Sequence, residues 1–177
     1  MFQLPSVPGW DGLHPLIIHF PIALLFAAPV FVFLGAILGP RRGRGMLYAA
    51  LLLMVLGTVS IFFAIETGEA AGKLADRTPE INAMLEHHEG LAERTRLTFS
   101  ILTVVFAGIL AVPVIRKREP KRVVATVLPL VFLAVYGAGM VVLANTADHG
   151  GRLVHELGVH AVIPADPSHP QASTPGE

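Results

Sequence analysis

The chain has 177 residues, 53% apolar and 15% charged, with no cysteine and with 13 Lys and Arg matched by 13 Asp and Glu; its mean hydropathy is +0.64. That composition lies outside the usual soluble range and indicates an integral membrane protein. Zero net charge argues against nucleic acid as a partner, and the lack of cysteine excludes disulfides, thiolate metal sites, Cys-ligated iron-sulfur clusters and covalent c-type haem attachment within the chain.

The opening segment, MFQLPSVPGWDG, carries no Lys or Arg before a long apolar run, which predicts an uncleaved first span rather than a cleaved signal. Four stretches, 14–38, 46–65, 97–115 and 123–145, are apolar for about the 20 residues needed to cross ~30 Å of hydrocarbon. They predict an all-α, integral membrane four-helix bundle, a single domain over residues 1–163 with a helical extension on the outer side. The connections GPRRGRG and RKREPKR together hold eight Arg and Lys against one acid, Glu119. Such loops face the cytoplasm, which places both termini and the long connection 66–96 on the outer side. No charged residue interrupts the middle of any span, which weighs against a transporter or pump. Gly57, Gly108, Gly137 and Gly139 read as positions of close helix approach.

Within the long connection, Thr78 and Pro79 predict an N-cap and a first helical residue, with the helix running on into the third span. Ile81, Met84, Leu85, Leu91 and Ala92 form one inward stripe that includes His88, whereas His87 points about 100° away beside Glu86 and Glu89. Gly150 and Gly151 are expected to end the fourth helix. The segment DHGGRLVHELGVH would then carry His155 back over the bundle's outer end. Residues 164–177, rich in proline, read as a disordered tail.

All eight histidines, His14, His19, His87, His88, His149, His155, His160 and His169, fall on the outer side or at its boundary. Counting ~20 residues back from the cytoplasmic helix ends at 1.5 Å per residue puts His19 at the outer boundary, His14 about 7 Å above it, His88 roughly 12 Å and His149 roughly 10 Å above. Three of the four helices thus deliver a histidine to one layer. Facing imidazoles from distant segments suit bis-histidine ligation of haem b, in one or two copies, or a bound copper or zinc ion. An i, i+5 pair such as His14 and His19 is about 140° apart on a helix and reaches one ion only if the chain bends; Pro15 and Pro21 supply places for that bend. His88 with His19 or His14 is the leading pair, His155 the next candidate. His149 is a further candidate ligand, and Arg152, with Arg94 or Lys73, would pair with haem propionates. The alternative for each histidine is interfacial hydrogen bonding.

The motifs LHPLIIHFPIALL at 13–25, TG at 67–68, HEGLAE at 88–93 and GGRLVHELGV at 150–159 resemble the bacterial membrane family called domain of unknown function 2231. The resemblance covers residues 13 to about 162. It implies a four-helix domain of the bacterial inner membrane doing redox work at the periplasmic face, since some relatives are joined to cytochrome c or Rieske modules. On that resemblance His14, His19, His88 and His155 stand at the family's histidine positions or at motif positions where histidine is common. The expectation is a b-type cytochrome-like carrier between the quinone pool and an outer-side cytochrome or other redox subunit, more a complex subunit than a stand-alone enzyme. The rival expectation is a cofactor-free accessory subunit of a respiratory or photosynthetic complex.

Overall fold

The computed structural model describes residues 8–159. A 3-10 turn, Trp10–Gly12, leads into α1 (His14–Ile17), α2 (His19–Arg42), α3 (Arg44–Gly72), α4 (Pro79–Ile115) and α5 (Arg122–His155), with no strand among the described residues. The chain is all-α, and four helical segments are long and apolar enough to cross a membrane. Helix α2 packs against α3 and α5, and α4 against the same two, so α2 and α4 occupy one diagonal of the bundle.

The helices meet through a stripe from each: Leu25, Ala28 and Val32 of α2, Ala50, Met54 and Ile61 of α3, Phe99, Leu102 and Phe106 of α4, and Phe132, Tyr136 and Leu143 of α5. Their steps of three, four and seven residues keep each set on one helical face. Phe106 stacks on Phe132 at 4.7 Å between ring centroids, and Phe99 meets Tyr136 edge-on at 5.4 Å. Only 22–33% of the residues in each apolar window are buried in the bundle. Phe20, Phe26, Phe33, Leu97, Val104 and Val131 point outward, an apolar surface of the extent that lipid, and not water, accommodates.

The elements differ from the sequence expectation mainly in length. Helix α3 continues past residue 65 to Gly72, so the long connection shrinks to residues 73–78. Thr78 caps α4 as expected, its hydroxyl accepting from the Ile81 amide at 3.2 Å, and Leu85 is buried on the expected stripe. Gly150 and Gly151 do not end α5. A glycine within a helix costs only about 1 kcal/mol, and burial of Leu153 beyond the pair holds the helix to His155. The chain leaves only at Gly158 (φ 62°). Of the four span glycines, Gly57 and Gly139 are close-approach sites, where an added Cβ would lie 2.7 Å from Leu25 and 2.8 Å from Leu102; Gly108 and Gly137 face open space.

Prolines inside the spans free backbone carbonyls, because a proline at position i cannot donate to the carbonyl at i−4. Pro29 leaves the Leu25 carbonyl without its helical donor, and the Tyr136 hydroxyl of α5 donates to it at 2.9 Å. Pro40 does the same to Ala36, whose carbonyl accepts from the Thr126 hydroxyl at 3.1 Å. Two prolines of one helix are thus matched by two hydroxyls of its neighbour, which fixes the α2–α5 register. In hydrocarbon no water is present to take over either role.

Candidate functional site

The two ends of the bundle carry different chemistry. The end bearing GPRRGRG and RKREPKR is held by Glu119, which bridges Arg41 and Arg44 at 3.6 Å each. The opposite end carries the histidines of the described residues, His14, His19, His87, His88, His149 and His155.

His14 opens α1, with Pro15 behind it at a first-turn position where a missing amide costs nothing. The imidazole is half-buried and leans on α3. Its Nδ1 donates to the Ala64 carbonyl at 2.9 Å and lies 3.3 Å from the Thr67 hydroxyl, which is itself spent on the Phe63 and Ala64 carbonyls. A carbonyl acceptor assigns the proton to Nδ1 and leaves the Nε2 lone pair free, the arrangement that orients metal-ligating histidines. Gly68 forms the floor, since a Cβ there would lie 2.9 Å from His14 Cε1.

His88 stands on α4 above the apolar span, one turn past buried Leu85. Its ring rests on Gly150 of α5, where a Cβ would come within 3.0 Å of His88 Cε1. Its Nδ1 is buried and has no hydrogen-bond partner among the described residues. Burial first, then the nearby His14 and His149, hold its pKa below the ordinary imidazole value, and the Thr146 carbonyl offsets part of this. His88 is therefore neutral at pH 7, the form that ligates.

Beneath His88 a threonine pair ties α4 to α5. The Thr95 and Thr146 hydroxyls are 2.7 Å apart, and both reach the Leu91 carbonyl, at 2.9 and 3.2 Å. Thr58 and Thr103 join α3 to α4 in the same way at 2.9 Å. Sequence reasoning missed these threonines and Tyr136. The available signal was hydroxyl residues on the apolar faces of spans, where helices hydrogen-bond across their interfaces.

Of the six expected site residues the structure turns two inward at this end of the bundle, His14 of α1 against Gly68 of α3 and His88 of α4 against Gly150 of α5. His19 is exposed, and its Nδ1 donates to the Pro15 carbonyl of its own segment at 2.6 Å. The helix does break between His14 and His19, at Ile18, yet the break does not turn both rings inward. His149 donates through Nδ1 to the Asn145 carbonyl at 2.8 Å and packs its ring on His87, centroids 4.6 Å apart. His155 does not fold over the bundle, because α5 runs straight through the glycine pair and leaves it exposed at the helix end. Arg152 is engaged with Glu156 one turn on, at 3.0 Å. His160, His169 and the tail 164–177 lie outside the described residues.

Copper or zinc bound by side chains alone takes three or four ligands, and no group of three His, Asp or Glu able to hold an ion occurs among the described residues. Haem needs two axial donors. A half-buried imidazole anchored through Nδ1, a second with an orphaned buried nitrogen, and a glycine under each ring fit such a group. A cavity of about 150 Å³ lined by Glu86, His87, Gly90, Leu91 and Arg94 lies at this end and is too small for a macrocycle. Seating one requires the helix ends to part.

Residues 11–162 match the family described as predicted membrane protein, DUF2231, so the chain belongs to that family. No curated protein and no solved structure matches it.

Proposed function

We propose that this member of the DUF2231 family is a membrane electron-transfer subunit holding haem b between His14 and His88. The observation that carries the reading is a pair of inward imidazoles at one end of the bundle, His14 anchored through Nδ1 and His88 with a buried Nδ1 that has no partner among the described residues. When bound, the iron supplies reversible one-electron chemistry at this end. The chain's own part is orientation. The Ala64 carbonyl and Thr67 fix the plane of His14, Gly68 and Gly150 admit the rings, and the Thr95–Thr146 bridge holds α4 against α5 beneath His88. The excess of Arg and Lys at the other end supports an orientation with that end cytoplasmic and the histidine end on the periplasmic side of the inner membrane. Electrons would pass one at a time between the quinone pool and an outer-side cytochrome or other redox subunit. His149 and Arg152 become flanking groups in this reading, and His19 and His155 are not ligands.

A reduced-minus-oxidised spectrum of the purified, haem-loaded protein tests this. The expected result is a low-spin α band that is lost in His14→Ala and in His88→Ala and kept in His19→Ala and His155→Ala. A protein without Soret absorption after haem loading would falsify the proposal and leave the accessory-subunit reading. A band lost in His19→Ala and kept in His14→Ala would reassign the ligand.

A further inference from the structure

At the basic end a cavity of about 590 Å³ opens between the ends of all four long helices, within the ~300–1,000 Å³ range of small-molecule sites. Its inner wall is apolar, with the small residues Gly35, Gly108 and Ala125 beside Leu128, and with Pro113 and Pro129 of α4 and α5. Both prolines withhold an amide from the carbonyl four residues earlier, Ile109 and Ala125, and both of those residues also line the cavity. It reaches about seven residues, roughly 10 Å, below the helix ends. Its mouth carries Arg44, Lys117 and Arg118, with Glu119 beside them. Glu119 is already shared by Arg41 and Arg44, whereas Lys117 and Arg118 pair with no carboxylate among the described residues. Lys117 sits at φ 49°, on the turn that leaves α4.

An apolar cleft of this volume, opening at the headgroup level beside two uncompensated cations, is complementary to one class of molecule. We infer that this cavity binds an anionic phospholipid of the adjacent leaflet, its phosphodiester at Lys117 and Arg118 and one acyl chain lying in the cleft over Gly108. Basic pockets between membrane helices recognise such head groups. The cavity is not an extension of the histidine site. Gly35 lies 21 residues from His14, about 30 Å along the helix axis, so the ligand is a structural lipid and not an electron donor to that site.

The test uses the full chain in detergent, with dioleoyl phosphatidylglycerol and dioleoyl phosphatidylcholine as probes and lipid retention read by native mass spectrometry. One phosphatidylglycerol per chain should be retained, with a preference of about tenfold or more, as two cations at the surface provide. The double variant Lys117→Asn, Arg118→Gln should bring the two lipids to parity; asparagine tolerates the left-handed backbone at 117. Gly108→Leu should abolish retention with every charge intact, and a Cβ at 108 meets nothing within 4 Å, so the fold survives it. Equal retention of both lipids by the wild type overturns the inference, as does unchanged phosphatidylglycerol binding in Gly108→Leu. Displacement of the lipid by millimolar inorganic phosphate overturns the acyl-chain assignment, since the anion alone would then suffice.

Discussion

The histidine end and the basic end use the same residue, glycine, to opposite effect. At the histidine end Gly68 and Gly150 each lie under an imidazole, the movable tip of a side chain. At the basic end Gly43 lies against the backbone carbonyls of Gly35 and Gly39, and Gly39 itself takes φ 78° to break α2 before Pro40. One end is a place where rings can be repositioned. The other is a tight backbone turn beside a cavity. A membrane bundle can thus be rigid where its loops are short and adjustable where its helices project beyond the lipid.

The largest test of that contrast is Gly43→Ala, whose methyl would collide with the Gly35 carbonyl. Overpacking against backbone should cost about 3 kcal/mol, read as a lowered denaturant midpoint in micelles. Next, Tyr136→Phe should cost about 1–2 kcal/mol by stripping the Leu25 carbonyl of the hydroxyl that replaces its helical donor. In a Pro29→Ala background, where the helical amide returns, the same change should cost less, and an undiminished cost would show that the hydroxyl does not serve the proline-freed carbonyl. Smaller still, Gly68→Ala and Gly150→Ala should stay within about 1 kcal/mol of wild type, since the helix-propensity gain offsets the displaced ring. Their mark is a shift in the His14 or His88 ring resonances, which Gly151→Ala, facing open space, should not produce. Were Gly150→Ala as damaging as Gly43→Ala, the histidine end would be packed as hard as the turn. The smallest effect belongs to Glu119→Gln, where both ion pairs are exposed. It should fall below about 1 kcal/mol and vanish in high salt.

Much of this architecture was readable in advance because hydrocarbon imposes simple rules. The apolar runs marked the four spans, and Thr78–Pro79 marked the start of α4. The inward phase of His88 followed from its place on the Ile81–Leu91 stripe. The glycine pair at 150–151 misled, because a helix-stop signal weighs only about 1 kcal/mol and packing of Leu153 outweighs it. That error displaced His155 and hid the role of Gly150 as the seat of His88. Choosing between His14 and His19 was equally out of reach, since it depends on which ring finds a carbonyl on α3.

The sequence by itself determined the all-α class, the four spans and the gathering of the histidines at the end opposite the two Arg- and Lys-rich connections, because each follows from one-dimensional hydropathy and charge against a slab of fixed thickness. Only the tertiary structure decided which partners meet: His14 over Gly68, His88 over Gly150, Tyr136 at the carbonyl freed by Pro29, and a cavity bounded by all four long helices. These depend on the rotation and depth of each helix relative to its neighbours, which lipid leaves nearly free and only interhelical contact fixes.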